Sequence, residues 1–264
     1  MTDAVRHRWL LLVIVGAGLL LITLDNSILY TALPTLTIEL GATHDESLWI
    51  INAYPLVMTG LLLGTGTLGD KFGHRRLFLI GLVIFGLASL VAAFAPTAAV
   101  LIASRALLAV GAAAMMPATL ALIRVTFTDV KERAFAIAIW GSISVVGMAL
   151  GPIIGGLLLE AFWWGAVFLV NVPVVILAII GTVIFAPVIA PNRAAKWDFI
   201  SSIYAMVGLT GLVFAIEESA KGSFTWVLAV AIVATIVGLW MFTRRQGRLE
   251  QPMLDFAIFR NPAV

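Results

Sequence analysis

Two charged side chains stand where charge is costly. Asp25 falls inside an apolar run over residues 9–33, and Arg105 inside another over 98–123. An ionised group near the centre of a lipid-embedded helix costs about 2.5–3.5 kcal/mol even on the lenient insertion scale. At that depth an aspartate can take up and release a proton, and an arginine can hold the ionised form, so the chemistry on offer is reversible protonation. A purely structural ion pair is the alternative. Apolar substitutes usually serve that purpose as well or better, so a titrating carboxylate is the preferred reading. Other chemistry is poorly supplied. The chain has no cysteine, and His7, His44 and His74 share no ligand spacing, so no metal or thiolate site is expected. It carries no G-x-x-x-x-G-K-[ST] phosphate loop, which excludes ATP bound in that way, and no enzyme site or cofactor is read from it.

Two runs of small residues come next. Gly147, Gly151, Pro152, Gly155 and Gly156 form G-x-x-x-G-P-x-x-G-G within one apolar run. Small residues four apart let helix backbones approach closely, and a proline removes one backbone bond and bends the helix. The second run spans Gly66 to Arg76, with Asp70 and Lys71 between Gly69 and Gly73, then Arg75 and Arg76. Its glycines permit a tight turn. Asp70 has basic neighbours to pair with, or can cap a helix N-terminus.

The elements that position these residues are membrane helices. The 264 residues are 62% hydrophobic and 11% charged, with a mean hydropathy of +1.10, whereas soluble domains are about 25% charged. Apolar runs over 9–33, 48–68, 77–95, 98–123, 135–159, 166–189, 199–216 and 227–243 are each about long enough to cross ~30 Å of hydrocarbon. Only helices satisfy their backbone at that length, so eight spans are predicted. The run behind Arg6 and Arg8 is too long for a signal peptide and lacks a cleavage site, so it is retained as the first span. With both termini in the cytoplasm, fourteen of the sixteen Lys and Arg fall inside, leaving Lys221 outside and Arg105 within a span; this fits the positive-inside rule. Split among short loops, the net charge of +2 suits a bilayer and not nucleic acid. Counting inward from the outer end of each span places Asp25 and Arg105 roughly 12 and 10 Å deep, close enough to pair if their helices adjoin. Trp49, Tyr54, Trp163, Trp164, Trp197 and Trp226 fall near predicted interfaces as belt residues; Tyr54 and Phe85 are also candidates to line a cavity.

These motifs resemble the major facilitator superfamily. Gly66–Arg76 is similar to its motif A, and Gly147–Gly156 to motif C of its exporters. Leu24-Asp25-Asn26-Ser27-Ile28 with Ala32-Leu33-Pro34 resembles the first-helix signature of the 14-span drug/proton antiporters. Trp49-Ile50 with Tyr54, Asn171-Val172-Pro173, and Gln251-Pro252-Met253-Leu254-Asp255 with Phe259-Arg260 fit the same group, above all pumps for quaternary ammonium antiseptics and methyl viologen. The resemblance implies an all-α multi-pass protein of the bacterial inner membrane. It comprises a six-helix bundle over 1–190, a linker pair over 191–243, and a cytoplasmic segment over 244–264 leading to a C-terminal bundle the chain lacks. It further implies Asp25 as the proton and cation site, Arg105 as its motif B partner, and Asp70 with Arg75 as a cytoplasmic gate. Motif B departs from pattern, with Leu108 and Ala109 where glutamine and glycine usually stand and a glycine only at Gly111; Asn52 replaces a second acid found in some members. The partners expected are lipophilic cations such as dyes and quaternary ammonium compounds, protons and the bilayer. Export of a metabolite by the same fold, or a truncated module that does not transport, are the rival readings.

Overall fold

The computed structural model describes residues 3–188, 198–220 and 226–249. The predicted boundary at 190–197, Arg193, Lys196, Trp197, Lys221 and the 251–260 motif lie outside the described residues. The described residues form helices throughout: α1 Asp3–Glu39, α2 His44–Phe72, α3 His74–Ala93, α4 Ala98–Thr126, α5 Val130–Ala161, α6 Ala166–Leu169, α7 Asn171–Phe185, α8 Phe199–Ala220 and α9 Trp226–Gln246. Seven helical segments, with α6 and α7 taken as one, are each long and apolar enough to cross a membrane; α2 makes an eighth if its two bent halves count together.

Several helices outrun the predicted spans. α1 has 37 residues, about 55 Å at 1.5 Å per residue. Hydropathy marks only the lipid-bathed stretch, while helical hydrogen bonding continues into the polar ends. Caps set several starts. Thr43 and Glu46 form a reciprocal capping box at α2, with Thr43 N–H donating to Glu46 at 2.9 Å and Glu46 N–H donating to the Thr43 hydroxyl at 3.2 Å. Asp129 accepts from Glu132 N–H at 2.9 Å to open α5.

The structure refines the predicted map at three places. The loop predicted at Asp70–Arg76 shrinks to Gly73, whose φ of +93° joins α2 to α3 at a single residue. The sixth span is one apolar segment, Ala166–Phe185, interrupted only at Val170, where Pro173 has no N–H for the Leu169 carbonyl. Finally α2 is bent by 56° between Leu62 and Gly64, inside the predicted span 48–68.

α1, α2, α3, α4 and α7 surround the main hydrophobic core, while α5 lies along α1 and turns an apolar face outward. α3 and α4 approach where Gly81 meets Gly111; a Cβ on Gly111 would sit 2.8 Å from the Gly81 carbonyl oxygen. α8 and α9 pair closely through Gly208, Gly211 and Gly238, and α8 packs on α2, where the Trp49 and Phe214 rings lie 4.9 Å apart. At the far end of α1, Arg8 pairs with Glu132 at 2.9 Å beside Trp9, which packs edge-on against Phe127.

Candidate functional site

Asp25 and Arg105 meet in the middle of the helices. Arg105 Nη1 donates to Asp25 Oδ2 at 2.5 Å, and the two residues are 0% and 2% exposed. Similar depth on α1 and α4 permitted this pairing; the packing of the two helices makes it. Arg105 is also held by groups other than the carboxylate. Its Nε donates to the Ile50 carbonyl at 3.3 Å, its Nη2 to Asn26 Oδ1 at 3.3 Å, and its Cζ lies 4.5 Å over the Tyr54 ring. Tyr54 is therefore a buried wall of this site and not a belt residue; its hydroxyl has no partner. Asn52, two residues after the Arg105-bound carbonyl of Ile50, is half-buried.

The other Asp25 oxygen belongs to α7. Asn171 Nδ2 donates to Asp25 Oδ1 at 2.9 Å and to Ser89 Oγ of α3 at 3.2 Å. Five helices thus converge on one carboxylate. Neither Asn171 nor Ser89 stands out in the sequence as a contact, because neutral polar residues are unremarkable in apolar helices. Phe85, one turn from Ser89, is packed in the core and lines no open space.

The glycines of the second signature divide sharply. Gly147, Gly151 and Gly155 face α1: a Cβ on Gly147 would land on Thr23, one on Gly151 would approach the Ser27 carbonyl carbon at 2.9 Å, and one on Gly155 would meet Ile28 at 3.3 Å. Gly156 meets nothing within 4 Å, and Pro152 is exposed. Pro152 acts through its missing N–H. The Met148 carbonyl, four residues earlier, loses its helical donor and instead accepts from the Ser27 hydroxyl at 2.7 Å. The same arrangement recurs once. Pro117 frees the Ala113 carbonyl, which accepts from Thr65 of α2 at 2.7 Å. At the end of α7 the Val183 carbonyl, in the last turn and without a helical donor, accepts from Arg75 of α3 at 2.7 Å. Freed carbonyls thus tie three helix pairs, α1–α5, α2–α4 and α3–α7, through side chains whose role appears only once the helices are placed.

The Gly66–Arg76 stretch is arranged differently from expectation. Asp70 pairs with His74 at 3.1 Å, one turn on, while Arg75 is spent on Val183, so these two gate candidates do not touch. His74, set aside in the sequence, is wedged against Gly69, where a Cβ would collide with its ring. Arg76 is exposed, Gly66 meets nothing within 4 Å, and Lys71 lies 5.8 Å over the Phe72 ring.

Among the described residues no group of three or more His, Cys, Asp or Glu is placed to hold a metal. The site offers a buried carboxylate, an arginine held also by the Ile50 carbonyl and Asn26, and helix contacts lined by glycine.

Comparison with known proteins matches this architecture. The profile of the Major Facilitator Superfamily matches residues 15–250. The chain is 42% identical to the methyl viologen resistance protein SmvA of Salmonella typhimurium, over 98% of this chain and 52% of that protein. It is also 42% identical to the multidrug efflux pump LfrA of Mycolicibacterium smegmatis, over 98% and 51%, and 32% identical to the riboflavin transporter RibZ of Clostridioides difficile, over 97% and 55%. The chain therefore spans about half the length of these relatives. The crystal structure of the human organic anion transporter MFSD10 (TETRAN) shares the fold, with a TM-score of 0.61 at 16% identity over 89% of this chain and 71% of that one. This chain is a multi-pass membrane protein, not an enzyme, and it belongs to the Major Facilitator Superfamily.

Proposed function

We propose that the gene product exports lipophilic cations such as dyes, quaternary ammonium compounds and methyl viologen in exchange for protons, by alternating access, and that Asp25 carries the coupling proton. The observation that supports this is the buried Asp25–Arg105 pair, held from five helices and supplied with an arginine anchor that does not depend on the carboxylate's charge. Likeness to SmvA and LfrA points to cations as the substrate class.

Asp25 is too enclosed here for a bulky cation to touch it, so proton and cation exclude each other through the field. With Asp25 ionised the pair is neutral and a cation can occupy a neighbouring cavity. With Asp25 protonated, Arg105 is left as a net positive charge, which at ~8 Å and an effective dielectric of ~20 repels a monocation by about 2 kcal/mol. Each occupant then favours a different facing, which is what biases the conformational equilibrium. Fourteen of sixteen basic residues on one side support cytoplasmic termini, which puts the Gly73 turn, with Asp70 and Arg75, at the cytoplasmic rim as a gate. We assign α1–α7 to one transport bundle and α8–α9 to a linker pair beside it.

The test is ethidium or methyl viologen transport in energised inverted vesicles made with the gene product that carries residues 1–264. Uptake that depends on the proton gradient and disappears in Asp25→Asn supports the reading; unchanged transport in that variant refutes it. Likeness to RibZ keeps a metabolite carrier as the second reading. Wild-type vesicles that move riboflavin but no cation would establish that instead.

A further inference from the structure

Asn171 opens α7 directly after the break at Val170, and its side chain is fully buried. Both of its amide hydrogens are engaged, one on Asp25 and one on Ser89, yet its Oδ1 is buried without a partner. An idle acceptor is expensive in a low-dielectric interior. It becomes useful only when a neighbour gains a hydrogen, and the neighbour able to do so is Asp25.

We propose that Asn171 is a positioning residue that follows the proton on Asp25 by turning its side-chain amide; this rests on Asp25 being the proton site. With the carboxylate ionised, the NH2 group faces Asp25 and Ser89. When a hydronium ion delivers a proton to Asp25 Oδ1, one of its O–H bonds breaks as the carboxyl O–H forms, leaving water and a neutral acid. The amide then turns about its terminal torsion, its oxygen accepts from the new Asp25 O–H, and the Ser89 hydroxyl changes from acceptor to donor. No other covalent bond is made or broken; the two hydrogen bonds donated by Asn171 to Asp25 and Ser89 are exchanged for two that it accepts from them. The terminal torsion of asparagine is broad and roughly two-fold, and its two ends are nearly the same size, so both settings fit one cavity.

The charged or titratable groups facing Asp25 are Arg105 from α4 and Tyr54 from α2. α3 beyond Arg76, α6 and α7 contain no ionisable residue, and those of α5 (Lys131, Glu132, Arg133 and Glu160) sit at its two ends. Asn171 is accordingly the uncharged lever on this carboxylate. Because the turning amide bonds the carboxyl in both states, its loss removes a donor from the ionised form and an acceptor from the protonated one.

The experiment is a pH titration by infrared difference spectroscopy of the full gene product in proteoliposomes. The Asp25 signal is the protonated-carboxyl band that disappears in Asp25→Asn. Asn171→Leu should shift the frequency of that protonated-carboxyl band, because the Asp25 O–H loses the acceptor that the turned amide provides; an unshifted band overturns the proposal while leaving Asp25 as proton site. Wild-type protein with carbonyl-labelled asparagine gives a measurement free of any folding defect. One asparagine band should shift to lower frequency with the midpoint of the Asp25 band; no band moving there overturns the proposal as well. If no carboxyl band is lost in Asp25→Asn, the proton-site reading itself fails, and this inference with it.

Discussion

Among the described residues two aspartate–arginine pairs join separate segments of the chain, and they are built to opposite ends. Asp198 stands just before α8 and pairs with Arg245 near the end of α9. Arg245 Nη2 lies 3.0 Å from Asp198 Oδ1, Arg245 Nε donates to both oxygens at 3.1 Å, Ser201 N–H donates at 3.2 Å, and the Ser201 hydroxyl donates as well. Gln246 then donates to that hydroxyl at 2.8 Å. The Asp198 oxygens are crowded with donors, and the carboxylate doubles as the cap of α8. Asp25 is more deeply buried, yet among the described residues it receives one donor on each oxygen. A carboxylate offers about four lone-pair sites, so among the described residues Asp25 keeps acceptor sites free while those of Asp198 are filled. Burial alone does not set how fully a carboxylate is hydrogen-bonded; the donors around it do.

Charge neutralisation breaks that comparison most sharply. Asp25→Asn should abolish proton-driven export, whereas Asp198→Asn should leave the coupling intact and weaken only the α8–α9 pairing; vesicle transport of the two variants side by side measures this. Arg105→Leu leaves a buried charge without its partner and should cost about 3–5 kcal/mol, read as a loss of thermal stability in detergent. Adding Asp25→Asn to it should restore part of the loss. Smaller effects belong to the proline ties. Ser27→Ala or Thr65→Ala strands a carbonyl that a proline has freed, and within a membrane such a bond is worth about 0.6–2 kcal/mol; unfolding of each variant in lipid measures it.

The smallest effect is acid sensitivity at α8–α9. Burial pushes the Asp198 carboxyl up, but the hydrogen bonds from Arg245 and Ser201 outweigh it and hold the group below the ordinary value of 3.8. A depressed value means stabilisation that is present above pH 3.8 and lost as the pH falls below it. Asp198→Asn should remove that acid sensitivity, as followed by proteolysis of the α8–α9 connection against pH.

The sequence made the class and the central carboxylate legible because a charge in a twenty-residue apolar run has no bland explanation. Asp25 and Arg105 stood out for that reason, and their matched depth followed from counting residues. Ser89 and Thr65 did not, and Asn171 and Ser27 entered only within family signatures, with no contact assigned to them. Each is a small polar residue whose importance depends on the helix beside it, and helix neighbours are not written in hydropathy. Of the two readings given for Tyr54, belt or cavity wall, α2 turns it under Arg105 as a wall. The partner of Asp70 was open in the sequence; the single-residue turn at Gly73 brings His74 to it one helical turn away.

The measurement that tests the central claim most directly is proton release on binding tetraphenylphosphonium to the purified gene product in weakly buffered detergent, wild type against Asp25→Asn. The account predicts release of about half a proton per cation bound at the Asp25 midpoint, where half of the molecules carry one, and none in the variant. Release of the same size in Asp25→Asn would place the coupling proton elsewhere and contradict it.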